Sequence, residues 1–288
     1  MFNFETKKLP KNTLEALIDI PKVEVEKEYI HAFEHLSQEL TVEGFRKGKA
    51  PKSVAEKHIS KETIYQSVIR VLLPKAYEEV VKKENLSPVT SPKIELLKAK
   101  ENEDWQVKMT IALKPEVDLG DYKKVIQEAK TKAKKADIWV PGKDQKPQEN
   151  KEVTDQKLLN EVLTSLLKTA KVEISDLIIE EEVNRRLTQQ VDEIQKIGLT
   201  VDAYLKSKNL TMEQLKATFT KEITDTYRLE FILQAVADKE GIKVEEADLE
   251  KLFTNIKDEK ERQMARQNAY FYASILRKQK TLDFLISL

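Results

Sequence analysis

From residue 151 to residue 288, apolar residues recur every three or four positions almost without a break, which confines that half of the chain to helices. Leu159, Val162, Leu163, Leu166 and Ala170 mark a first helix, for which Thr154 is a candidate N-cap. Ser175 or Asp176 opens the next helix, and Gly198 closes it. Thr211 with Gln214 three residues later forms a capping box, and the helix it starts runs to Lys239 with Gly241 just beyond. At 1.5 Å per residue that helix is about 42 Å long. Two more helices follow, near 245–256 and 259–286. Long helices joined by short turns predict an elongated all-α body over 151–288. In the last helix the apolar residues, Met264, Tyr270, Phe271, Tyr272, Ile275, Leu276 and Leu282 among them, spread around much of the circumference.

Residues 1–113 read differently. Leu14–Ile20 and Trp105–Leu113 are strand-like, the second with clear alternation, and Ile94–Leu97 is a shorter candidate. Val25, Tyr29, Phe33, Leu36 and Leu40 share one face of a helix. A second helix spans about Lys61 to Val81, and Pro74 inside it is expected to bend it by removing the bond to the Arg70 carbonyl. These elements predict an α+β domain with an antiparallel sheet and two main helices. Residues 114–150 contain a Lys/Ala-rich run, then VPGKDQKPQENK with little to bury, and read as a linker in which Trp139 is a packing anchor.

Composition narrows the function classes. The chain has 50 basic and 50 acidic residues, so no net charge suited to coating nucleic acid. It has no cysteine, which excludes disulfides, thiol nucleophiles and cysteine-held metals and fits a reducing compartment. No apolar run approaches a membrane span, and the N-terminus lacks the apolar core of a secretory signal. His31 and His35, one turn apart around Glu34, have metal-ligand spacing but lie opposite the apolar stripe of their helix, so they read as solvated. Glu180, Glu181 and Glu182 read as a solvated face. No metal or other cofactor is expected, and no phosphate-binding or nucleophile motif is present.

The segment between the two helices of the first domain is the most informative: Gly44-Phe45-Arg46-Lys47-Gly48-Lys49-Ala50-Pro51. Two glycines four apart permit a defined loop, and Pro51 suits the first turn of the following helix. An aromatic ring and two cations sit at the tip. From Gly44 to Lys61 there are six basic residues (Arg46, Lys47, Lys49, Lys52, Lys57, Lys61) against Glu56 alone. A loop of this kind on a rigid support suits recognition.

GFRKGKAP matches every fixed position of the G-F-R-x-G-x-x-P loop of the trigger factor family, bacterial ribosome-associated chaperones. The segments Lys171–Phe219 and Leu233–Phe253 also resemble the helical body of that family. The resemblance implies an ATP-independent chaperone in the cytoplasm, docking on protein and RNA of the large ribosomal subunit near the exit tunnel and shielding nascent or unfolded polypeptides. Phe45, Arg46 and Lys47 would make the contacts, with Lys49 adding charge, and Gly44, Gly48 and Pro51 would shape the loop. Phe219, Tyr227, Phe231, Tyr270, Phe271 and Ile275 are candidates for lining the client cradle. The family normally carries a prolyl isomerase domain between the two regions. Only a linker occupies that gap here, so no enzymatic activity is expected. The second reading is a ribosome-independent holdase or assembly factor that uses the helical body alone. Membrane association is not expected, and a weak homodimer fits either reading.

Overall fold

A computed structural model describes residues 2–136, 151–256 and 258–288, with backbone alone over 132–136 and 151–155. The chain forms two compact units: Met1–Lys114 with Ser175–Ile178, and Pro115–Ile174 with Ile179–Leu288.

In the first unit, β1 (Asn3–Leu9) and β2 (Thr13–Ile20) form a hairpin and lead into α1 (Lys22–Glu39). The short α2 (Lys52–His58) and the long α3 (Lys61–Lys83) follow, then β3 (Lys93–Lys98) and β4 (Trp105–Ala112). The sheet is antiparallel with order β1-β2-β4-β3. Alternation fixes its buried face: Leu14, Ala16, Ile18 and Ile20 of β2 and Trp105, Val107, Met109 and Ile111 of β4 are all buried. Over them pack Val25, Ala32 and Phe33 of α1 and Ile64, Val68, Leu72, Ala76 and Val80 of α3. α3 runs unbroken through Pro74, and Ser60 caps its start by accepting from the Thr63 N–H. The β1 strand, NFETKKL, has no alternation to announce it; it is an edge strand with an exposed, charged character.

The second unit contains β5 (Val117–Asp118), α4 (Tyr122–Ala136), α5 (Lys151–Thr169), β6 (Lys171–Val172), α6 (Asp176–Lys196) from Ile179 onward, and α7 (Val201–Ser207). Then come α8 (Met212–Lys239), α9 (Glu246–Thr254), α10 (Glu259–Gln267) and α11 (Ala269–Ser287). The Thr211–Gln214 capping box is present in full at the head of α8. Its core gathers Tyr122 and Ile126 of α4, Val162 and Leu166 of α5, Ile232, Leu233 and Val236 of α8 and Leu285 of α11. A smaller cluster of Leu205, Leu215 and Phe219 joins α7 to α8.

Three expectations need correction. The stretch read as linker over 114–150 holds β5 and α4, and α4 is core: Tyr122, Ile126 and Ala129, spaced four and three apart, are all buried. The lysines that suggested a linker sit between these positions, on faces that leave the apolar ones free to pack. The Tyr122 hydroxyl donates to Glu240 Oε1 at 2.6 Å and Lys123 Nζ pairs with the same carboxylate at 2.8 Å, tying α4 to the end of α8. The remainder, 137–150 with Trp139, lies outside the described residues. Second, Thr154 falls inside α5, which starts at Lys151, so it is no N-cap. Third, the helix expected over 259–286 is two helices. Asn268, at φ −102° and ψ 29°, ends α10, and its side-chain amide donates to the Met264 carbonyl, competing with helix continuation.

Candidate functional site: the Gly44–Pro51 loop and the exposed helix face

Two consecutive tight turns build the loop between α1 and α2. Phe45 N–H donates to the Val42 carbonyl at 3.0 Å, and Lys49 N–H donates to the Arg46 carbonyl at 2.9 Å. In each turn the third residue is glycine with positive φ, Gly44 at 85° and Gly48 at 72°. That is the position where a type II turn requires the left-handed region. The two glycines are not equivalent. A Cβ on Gly44 would meet nothing within 4 Å, whereas one on Gly48 would sit 2.4 Å from the Gln38 carbonyl oxygen. Gly48 N–H also donates to the Leu40 carbonyl at 3.0 Å. Gly48 therefore seats the loop against the end of α1, and Gly44 only turns the chain.

Pro51, at φ −56°, precedes α2, and its carbonyl accepts from Val54 and Ala55 N–H groups. Ala55 and Ile59 are buried, anchoring the far side of the loop in the core. Lys52 Nζ stands 5.8 Å from the Phe33 ring centroid, a cation–π contact at the loop's base.

On this support the tip faces outward. Phe45 is 41% exposed, and Gly44, Arg46, Lys47, Lys49 and Pro51 are exposed as well. Of the six cations counted from Gly44 to Lys61, Lys61 pairs with Glu101 at 2.9 Å. Arg46, Lys47, Lys49, Lys52 and Lys57 form no ion pair among the described residues. An unpaired guanidinium beside a half-open ring can grip a carboxylate or phosphate while the ring covers an apolar spot.

Sequence reasoning missed two apolar neighbours of this loop's support, Val23 at 71% and Ile30 at 56% exposure on α1. Being seven residues apart they share a face outside the Val25–Leu40 stripe, and that misfit with the stripe was the available signal. His31 and His35 are exposed, and no group of three metal-binding side chains occurs among the described residues.

The six candidates in the helical unit separate sharply. Tyr270, Phe271 and Ile275, all on α11, are 91%, 60% and 48% exposed. Met264 on α10, 56% exposed, was not among the site candidates. Phe219 and Phe231 are buried, a correction to their expected place in a cradle. Phe219 packs with Leu205 and Leu215 and carries the Arg186 guanidinium 5.6 Å from its ring, so it closes a small core. Tyr227 is half-buried, and that burial pushes its hydroxyl pKa up. Phe271 meets Tyr272 edge-on, and Tyr272 in turn packs edge-on against Phe253, both at 5.7 Å between ring centroids. The exposed ring is thus held by a partly buried aromatic row rather than by its own mobility.

Residues 2–139 match the family described as bacterial trigger factor protein, and residues 143–287 match its C-terminus. Among curated relatives, trigger factor of Moorella thermoacetica is 36% identical over 115 residues, 40% of this chain and 26% of that protein. Trigger factor of Limosilactobacillus fermentum is 35% identical over 130 residues, 45% of this chain and 29% of the relative. That of Streptococcus pneumoniae is 36% identical over 121 residues, 42% and 28% respectively. The aligned part of the chain thus spans little more than a quarter of these relatives' length. A solved structure of the trigger factor chaperone, from work on its promiscuous substrate recognition in folding and assembly, is 14% identical. It covers 99% of both chains with a TM-score of 0.66, a likeness of fold. With both halves of the sequence matched, the chain belongs to the bacterial trigger factor family.

Proposed function

We propose that this chain is an ATP-independent chaperone of the cytoplasm that docks on the large ribosomal subunit near the polypeptide exit and shields nascent or unfolded chains. The observation that carries the reading is the loop tip: Phe45, Arg46 and Lys47 exposed together on a two-glycine support, with no ion pair to either cation among the described residues. The chemistry suits a surface of ribosomal RNA and protein. Arg46 forks onto phosphate or carboxylate, the lysines add a salt-sensitive attraction, and covering the rest of the Phe45 ring contributes on the order of 1 kcal/mol. So small a contact gives reversible docking.

In the helical unit, Tyr270, Phe271, Ile275 and Met264 offer separate apolar contacts rather than one deep pocket. Weak contacts to one flexible chain add through effective concentration, so many sequences can be held. Membership of a family whose solved relative is a chaperone with promiscuous substrate recognition supports the same reading. Among the described residues no helix is long and apolar enough to cross a membrane. The proposal includes no prolyl isomerase activity: the two family segments end at 139 and resume at 143, leaving no room between them for an isomerase domain. A proline-limited refolding assay should stay at the uncatalysed rate, tens of seconds or slower. Suppression of aggregation of an unfolded client by the full chain, lowered in a Tyr270→Ser/Phe271→Ser double variant, tests the helical face. Equal suppression by both proteins would remove that face from the reading.

A further inference from the structure

The first unit leaves one side of its sheet open. Among the described residues β3 pairs only with β4, so alternate backbone N–H and C=O groups of β3 point away from the sheet. No other described segment makes a backbone hydrogen bond to it. Pro92 at one end has no N–H, and a register shift between Leu96 and Lys98 twists the other end. The usable ladder is Lys93–Leu96.

Beside this edge lies a groove of about 1040 Å³, lined by Ile69, Leu73 and Tyr77 of α3, by Pro88 and Val89, and by Ile94 of β3. Ile94 and Leu96 stand opposite Met109 and Val107, on the face that is buried in β4, yet they remain 38% and 43% exposed. The helix layer stops short of them. Among the residues lining the groove, Thr90 has a side-chain oxygen that is shut off from solvent and without a hydrogen-bond partner. Arg70, which lines the groove, and Lys98, the last residue of β3, form no ion pair among the described residues, and Lys93, the first residue of β3, shares Glu95 with Lys108.

We propose that the edge of β3 and the adjoining groove take an extended segment of an unfolded chain as an added strand, with apolar side chains at alternate positions and acidic flanks. Open ladder groups beside an apolar groove match the two halves of such a segment, its backbone and every second side chain. The cations without ion pairs, Arg70 in the groove and Lys98 at the strand's end, favour acidic flanks and disfavour a second copy of this chain, which would bring the same two cations to the contact. The inference takes its source of ligand, an unfolded chain, from the chaperone reading above.

The test uses the full chain and a fluorescein-labelled peptide of alternating valine and threonine with aspartates at both ends, followed by anisotropy. Two further peptides carry N-methyl groups on alternate residues, one in each phase. The parent peptide should bind, one methylated phase should bind about tenfold or more weakly, and the other should bind nearly as well. Leu96→Lys should weaken the parent peptide and leave ribosome co-sedimentation unchanged. Phe45→Ala/Arg46→Ala/Lys47→Ala should do the reverse, so failure of this inference and failure of the docking proposal are read separately. No binding of the parent peptide, or equal binding of both methylated phases, overturns the added-strand proposal. So does a dimer in sedimentation velocity that Leu96→Lys dissolves, since the edge would then belong to a second copy.

Discussion

The Gly44–Pro51 loop and the α10–α11 face both present apolar side chains to solvent, but they are held by different physics. The loop is fixed by backbone: two turns, two positive-φ glycines, and a 2.4 Å approach that only glycine permits. The helix face is fixed by side chains, with Phe271 leaning on Tyr272 and Tyr272 on Phe253. A backbone-built site is specific, because one geometry of ring and guanidinium results. A side-chain row on a helix is tolerant, because rings can change rotamer without moving the helix. That contrast suits the proposed division between docking on one fixed particle and holding many clients.

The contrast can be broken at several points. The largest stability effect is expected in the helical unit at a residue that looks like a client contact in sequence but is core. Phe219→Ala should lower the unfolding free energy of the chain by about 3–5 kcal/mol in denaturant titration. Tyr270→Ala, at 91% exposure, should change it by no more than about 0.5 kcal/mol while reducing client protection. In the loop, Gly48→Ala should weaken ribosome docking and destabilise the chain by about 1–3 kcal/mol more than Gly44→Ala does, since the Gln38 carbonyl as well as the backbone angle opposes the new methyl. Gly44→Ala faces only the angle and should cost about 1–2 kcal/mol. Equal thermal shifts for the two glycine variants would show that Gly48 is not seated against α1.

The smallest effect is electrostatic. Glu240 is held below the usual carboxylate range, first by its bond to Lys123 and then by that from Tyr122. A carboxylate with a lowered folded pKa contributes stability above its unfolded value, about 4.3, and loses it as pH falls through the folded value. The melting temperature difference between the chain and Glu240→Gln should therefore be present at pH 7 and shrink below about pH 4. Asp248, held low by Lys280 and by the Glu245 N–H, should behave the same way.

What could be read in the sequence follows from how each element announces itself. β2, β4 and α1 carry their burial as periodicity, and α8 carries its start as Thr211 and Gln214, so these were legible. The loop was legible because glycine spacing states a backbone requirement directly. α4 was hidden by its lysines, since a three-residue face, Tyr122, Ile126 and Ala129, is enough to pack but too sparse to stand out. The α10–α11 break rests on Asn268 alone, a residue equally at home on a helix surface. Exposure of single aromatics was not legible: Phe219 and Phe271 both sit on long helices with apolar neighbours in sequence, and only the packing partners brought by the fold bury one and leave the other.

Ribosome pelleting at physiological salt, comparing the chain with Phe45→Ala/Arg46→Ala/Lys47→Ala, tests the central claim most directly. The account predicts that the unaltered chain sediments with ribosomes, that the triple variant stays in the supernatant, and that circular dichroism of the two is the same. Equal sedimentation of both proteins would contradict it.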